Sequence, residues 1–105
     1  MTDIDERYRR GKIYMILSLQ SNDIYIGSTI HSLHDRFKRH EHHYKIGRKC
    51  SSCEIITQRD AFIELLENFP CKNRKELEAR EVWYILMFKD HRMVAKGHNC
   101  VNKRW

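Results

Sequence analysis

No apolar run in this sequence approaches the roughly 20 residues that a membrane-spanning helix needs. Residues 1–10 are mostly charged or polar and contain no apolar segment, which is not the composition of a secretory signal peptide. We therefore expect an intracellular protein, cytoplasmic or nuclear, that is neither secreted nor embedded in a membrane.

Cysteine is scarce and poorly spaced for zinc binding. The four cysteines are expected to be free thiols in a reducing compartment. Cys50 and Cys53 have the C-x-x-C spacing of zinc ligands, but Cys71 and Cys100 stand far apart, so a second tight pair is missing. No zinc is expected, and a small zinc domain is the minor alternative.

The sequence also lacks an internal repeat, a low-complexity stretch and a linker. Its 105 residues suit one compact domain with one hydrophobic core. The chain divides into a polar, loosely packed N-terminal segment at residues 1–10 and a single domain at residues 11–105.

Acidic residues are outnumbered by basic ones. The sequence contains 14 Asp and Glu residues and 20 Lys and Arg residues, which gives a formal net charge of +6. A small domain with this charge attracts polyanions, nucleic acid first and an anionic membrane surface second.

Apolar periodicity and turn residues predict a mixed order of strands and helices. Ser32 and Asn73 are each followed three residues later by an acidic residue, which is typical of a helix N-terminus. Leu33, Phe37 and Tyr44 form the apolar stripe of the first helix. The predicted elements are strands at 12–17, 24–27 and 62–67, helices at 32–47 and 73–88, a turn at 21–23, a short helix at 53–57 and a loop at 89–98.

Glu81 is the first candidate functional residue. It lies inside the apolar stripe of the last helix, four residues from both Leu77 and Ile85. An unpaired charge costs several kcal/mol to bury, so this carboxylate needs an Arg, a Lys or a metal ion. A buried salt bridge to arginine is the commoner arrangement, and both interpretations stay open at this point.

The first long helix and the hairpin before it supply the other candidates. A planar guanidinium such as that of Arg36 suits phosphate, although a solvated basic face is the commoner meaning of such a helix. Tyr14 and Tyr25 fall on one face of a bulge-free hairpin, where ordinary aromatic packing is the alternative. The basic residues that we assign to nucleic-acid binding are Arg36, Lys38, Arg39, His43 and Lys45.

Taken together, these residues resemble the GIY-YIG nucleases over residues 11–104. The segment at 11–14, Gly-Lys-Ile-Tyr, is similar to the GIY element with one inserted lysine, and the segment at 25–27 is similar to the YIG element. Details of the second element and of the C-terminus look most like small stand-alone members from large DNA viruses. The remaining matches are Arg36 and His40 in an Arg-x-x-x-His pattern, Glu81 as the metal-binding Glu, and Asn102, or else Asn99, as the closing Asn.

The resemblance implies an α+β fold with a small three-stranded antiparallel sheet flanked by helices, which agrees with the predicted elements. It also implies an endonuclease, a monomer or a homodimer, that hydrolyses phosphodiester bonds of DNA with Mg²⁺, for which Mn²⁺ can substitute. The implied roles are metal binding for Glu81, phosphorane stabilisation for Arg36, general base for Tyr14 or His40, positioning of water or phosphate for Tyr25, and support of the site's geometry for Asn102. The alternative is a non-catalytic basic DNA-binding module derived from the same fold.

Overall fold

The computed structural model describes residues 5–20, 23–47, 52–56, 60–89 and 99–100. Strands and helices follow one another in nearly the predicted order. They are a 3-10 helix at Glu6–Arg10, β1 at Lys12–Leu17, β2 at Asp23–Thr29, α1 at Leu33–Lys45, α2 at Cys53–Ile56, β3 at Phe62–Asn68, α3 at Arg74–Lys89 and β4 at Asn99–Cys100.

The sheet has the strand order β3-β1-β2-β4. β1 is central and pairs antiparallel with both β2 and β3, so the predicted three-stranded antiparallel sheet of an α+β protein is confirmed. The structure adds one short strand that was not predicted. This strand, β4, pairs in parallel with β2 over two residues. The register between β1 and β3 shifts between Ile13 and Tyr14.

The two faces of the sheet carry separate apolar clusters. Side chains alternate along β1, so Ile13 points to one face and Tyr14 and Ile16 point to the other. The first cluster packs beneath α3, whose buried residues include Leu77 and Ile85. The second lies beneath α1 and α2 and contains Tyr14, Ile16 and Ile55. The sheet thus separates the helix that carries Glu81 from the helix that carries Arg36.

Both long helices begin where the capping residues predict. The Ser32 hydroxyl accepts a hydrogen bond from the backbone N–H of Asp35 at 3.1 Å, and the Asn73 side chain accepts one from the backbone N–H of Glu76 at 3.0 Å. These bonds satisfy N–H groups that have no partner within the helix.

The apolar stripe predicted for α1 is wrong at Tyr44, which is 43% exposed. His40 is buried instead, and with Leu33 and Phe37 it completes an i, i+4, i+7 face toward the sheet. A histidine can occupy this position because both of its ring nitrogens find hydrogen-bond partners there.

The loose packing expected for residues 1–10 is also wrong for residues 5–10. Asp5 caps the 3-10 helix, and its backbone N–H donates to the Lys72 carbonyl at 2.7 Å. The Tyr8 carbonyl accepts from the Cys71 backbone N–H at 2.9 Å, and the Tyr8 ring packs against the cluster beneath α3. These backbone bonds fix a polar segment that has little apolar surface to bury.

Some sequence predictions lie outside the described residues. They concern most of the turn at 21–23, the end of the short helix at Thr57, nearly all of the loop at 89–98, and the positions of Cys50 and Asn102. The zinc expectation therefore stays a prediction. No helix in the described ranges has both the length and the apolar character needed to cross a membrane.

Candidate active site

Tyr14 lies at the centre of the site, and Gly27 makes room for it. The two residues are directly opposite each other in the β1–β2 pairing. A Cβ on Gly27 would fall well inside van der Waals contact with the hydroxyl oxygen and ring of Tyr14. Glycine is therefore required at this position because the phenol lies across the backbone of β2, and Tyr14 is fully buried as a result.

Two polar side chains, those of Arg36 and His40, meet at the Tyr14 hydroxyl. The Arg36 Nε–H donates to the Tyr14 oxygen at 3.0 Å, and the His40 Nε2 atom lies 2.8 Å from the same oxygen. Arg36 and His40 reach it together because residues four apart share one face of a helix. The other ring nitrogen of His40, Nδ1, lies 2.8 Å from the Ser52 hydroxyl.

Tyr25 joins this group from β2. Its ring centroid is 6.5 Å from that of Tyr14 and 5.3 Å from that of His40. The prediction that Tyr14 and Tyr25 share a sheet face is confirmed. The aromatic packing and the polar network coexist, because the rings pack while the Tyr14 hydroxyl is held by Arg36 and His40.

Burial dominates the electrostatics of the network. It raises the pKa of Tyr14, an effect that the neighbouring phenol of Tyr25 increases and the guanidinium of Arg36 partly offsets. Burial also lowers the pKa of His40 to about 3, with a further contribution from the positive charge of Arg36. Tyr14 and His40 are therefore both neutral near neutral pH.

A groove of about 410 Å³ opens above the network. Glu81 reaches it from α3, where its carboxylate accepts a hydrogen bond from the Ser28 hydroxyl of β2. The adjacent arginine, Arg80, is engaged with Glu67 at 2.7 Å. The groove brings Glu81, Arg36 and Tyr25 together even though they come from both faces of the sheet. Its lining also includes Tyr8, Ser28, His31, Arg39 and Arg74.

The sequence-predicted residues divide into three groups. Tyr14, Tyr25, Arg36, His40 and Glu81 are brought together at or directly beneath the groove. Of the residues assigned to DNA binding, Arg36 and Arg39 line it, whereas Lys38, His43 and Lys45 lie elsewhere on α1. Asn102 lies outside the described residues, as does the Asn99 side chain.

Four residues that the structure places here were not predicted from the sequence. Ser28 follows the YIG element directly, and this adjacency is the sequence feature that could have identified it as a site residue. Tyr8 stands in a segment dismissed as loosely packed, and Arg74 follows the α3 cap. Ser52 had no recognisable signal, because it belongs to a stretch without clear periodicity.

A carboxylate, a guanidinium and a tyrosine–histidine pair around one groove are side chains that can bind a metal ion, bind a phosphate and transfer a proton. The fold and the site thus define a nuclease-type catalytic domain. Residues 10–94 match the GIY-YIG catalytic domain, and the chain belongs to this family. No characterised protein and no solved structure is significantly similar to it. Membership indicates a nuclease that acts on nucleic acid, and nucleases of this family generally use divalent metal ions.

Proposed function

We propose that this protein is a DNA endonuclease that hydrolyses phosphodiester bonds with one divalent ion, Mg²⁺ or in its place Mn²⁺. One observation carries the proposal. The Tyr14–Arg36–His40 network lies directly beneath the groove that holds Tyr25 and Glu81. A phosphate in this groove would have a carboxylate on one side and a guanidinium on the other.

Glu81 is the proposed metal ligand, and its surroundings fit that role. Its carboxylate is half-buried beside the Ser28 hydroxyl, in a groove large enough for several waters. Mg²⁺ is often held by one or two carboxylates and keeps several of its waters. A divalent ion bound there would neutralise charge on the cleaved phosphate and on the leaving 3′ oxygen.

Arg36 is proposed to stabilise the phosphorane. Its Nε–H is used by Tyr14, and a guanidinium has more N–H donors than this one bond uses. The bond to Tyr14 also orients the guanidinium plane, so that the terminal nitrogens can address the non-bridging oxygens of a phosphate. Tyr25, which lines the same groove, positions the phosphate or the attacking water.

Tyr14 is proposed as the general base, with His40 as the acceptor of its proton. The raised pKa of Tyr14 disfavours a resting phenolate. Proton transfer from water to the Tyr14 oxygen therefore requires that the phenol proton leave at the same time. The His40 Nε2 atom, 2.8 Å away, is in place to take it.

Basic residues on both sides of the groove define a path for the DNA backbone. Arg36 and Arg39 belong to α1, and Arg74 belongs to the first turn of α3 on the opposite side. Arg74 pairs with Glu78 at 2.9 Å, yet its side chain is 76% exposed. Such an exposed ion pair contributes little, so Arg74 can exchange this partner for a phosphate.

The salt dependence of DNA binding tests this path. Each phosphate contact contributes about 0.9 to the slope of log affinity against log salt. We expect Arg39→Gln and Arg74→Gln each to reduce the slope by about this amount. Binding is measured by fluorescence anisotropy of a labelled duplex without divalent ions, so that no cleavage occurs.

Lys75→Gln is the matched control for Arg74→Gln. It removes the same charge one residue further along α3, at an exposed position outside the groove lining. If both substitutions reduce the slope equally, the DNA responds to the overall positive charge of the protein and does not contact Arg74 specifically. Lys38→Gln tests whether the outer face of α1 also binds DNA, and a reduced slope is expected if it does.

Incubation with supercoiled plasmid, with and without Mg²⁺, tests the activity itself. A monomer with one Glu81 attacks one phosphodiester at a time, so open circles should appear first and linear DNA later. Linear DNA without that intermediate, at a rate that rises with the square of protein concentration, would indicate a homodimer. Tight DNA binding without cleavage in Mg²⁺ or Mn²⁺ would favour the non-catalytic DNA-binding module.

A further inference from the structure

We propose that Ser52 is a positioning residue of this site: its hydroxyl oxygen accepts the Nδ1–H of His40 and thereby holds His40 in the tautomer whose Nε2 accepts the proton of Tyr14. The inference rests on the proposed function for its effect on catalysis, but the tautomer itself can be observed without it.

The proposed direction of each bond is the one that gives every donor of the network an acceptor within it. The Tyr14 oxygen accepts from Arg36 Nε at 3.0 Å, and donation of its own O–H to His40 Nε2, 2.8 Å away, gives both groups a partner within the network. A neutral imidazole has one N–H. Nε2 accepts, so that N–H is on Nδ1, and it points at the Ser52 hydroxyl 2.8 Å away.

The surroundings make this arrangement specific. Ser52 is completely buried and His40 is 6% exposed, so water cannot readily replace the serine oxygen. A buried ring N–H without an acceptor is costly, and the opposite tautomer would place a second N–H against the Tyr14 oxygen. In that opposite form the Tyr14 O–H would lose Nε2 as its acceptor, whereas the Nδ1–H form keeps this bond and gives its own N–H the Ser52 oxygen.

The tautomer determines whether the proton can move. When Tyr14 takes a proton from water, its own proton passes to Nε2, and the imidazole then carries a proton on each nitrogen. Ser52 continues to accept the Nδ1–H of this cation and so stabilises it. This is the role that the third member plays in other nucleophile–base–orienting-residue arrangements, here supplied by the residue that precedes α2.

The proposal is tested by nuclear magnetic resonance of protein labelled with ¹⁵N-histidine. Long-range ¹H–¹⁵N correlations distinguish the two neutral tautomers, and His40→Gln identifies the signal of His40 among the seven histidines. We expect the wild-type signal to be that of the Nδ1–H form. A wild-type Nε2–H form would overturn the proposal, whether or not the protein cuts DNA.

Two variants then connect the tautomer to turnover. Ser52→Ala should convert His40 to a mixture or to the Nε2–H form and lower kcat about 10–100-fold, by analogy with the groups that orient metal-bound histidines, with little change in KM. Ser52→Thr keeps a hydroxyl and should restore both. A kcat unchanged in Ser52→Ala, or a tautomer unchanged by it, would also overturn the proposal.

Ser18→Ala is the matched control for loss of a buried serine hydroxyl. Ser18 is buried and donates its hydrogen bond to Asp60, away from the groove. It should alter stability without altering the His40 tautomer or kcat. Wild-type protein that shows the Nδ1–H form but no cleavage would contradict the proposed function and leave the tautomer assignment standing.

Discussion

Glu81→Gln is expected to abolish DNA cleavage and leave the fold intact. The amide has nearly the same shape and can still accept the hydrogen bond from Ser28, but it lacks the charge that holds a divalent cation. Metal ions supply several kcal/mol of transition-state stabilisation, and about 1.4 kcal/mol corresponds to a tenfold change in rate. The expected loss is therefore roughly a thousandfold or more.

The assay is conversion of supercoiled plasmid to open circles in Mg²⁺, with circular dichroism and thermal unfolding to verify the fold. Glu78→Gln is the matched comparison, since it removes a carboxylate one turn earlier on α3. Glu78 also lines the groove, but it is partly exposed and paired with Arg74, so its loss should change the rate by no more than about tenfold. Full activity of Glu81→Gln, or of the wild type in excess EDTA, would refute metal binding at Glu81.

Most of the scaffold could be predicted because its elements are locally encoded. A continuous run of apolar, β-prone residues predicted β1, and side-chain caps at Ser32 and Asn73 predicted the starts of both long helices. β4 could not be predicted, because a two-residue parallel pairing has no periodicity of its own. The 3-10 helix was missed for a similar reason, since backbone bonds to residues 71–72 hold it in place.

The candidate site was predictable only where a motif marked it. The buried position of His40 contradicts a periodicity argument that counts apolar residues alone, because the ring is buried through hydrogen bonds at both nitrogens. The role of Ser52 was even less predictable from the sequence. It lies 12 residues after His40 in the chain, and only the packing of α2 on α1 brings the two side chains together.

The structure favours joint action of Tyr14 and His40 as the general base over the choice of one of them. Neither Tyr14 nor His40 is suited to the role alone, because burial raises the pKa of the phenol and lowers the pKa of the imidazole to about 3. The 2.8 Å contact between them makes a shared function the better interpretation. A shared function has a specific kinetic consequence.

Tyr14→Phe should lower kcat about 10²–10⁴-fold, the range of general acid–base contributions. DNA affinity should change little, because the ring that packs against Tyr25 and Gly27 is retained and the hydroxyl is buried. Single-turnover cleavage of a labelled duplex measures the chemical step, and anisotropy without divalent ions measures binding. A binding defect equal to the loss in rate would show that the Tyr14 hydroxyl serves binding or folding instead.

His40→Ala should reduce the rate to a similar extent, and the double variant should be no slower than the slower single variant. Residues that act as one unit are non-additive in this way, because removal of either one breaks the whole proton path. Independent contributions would instead multiply, and the double variant would then lose the product of the two effects. Normal cleavage by Tyr14→Phe with loss of cleavage in His40→Ala would make His40 the base and Tyr14 a packing residue.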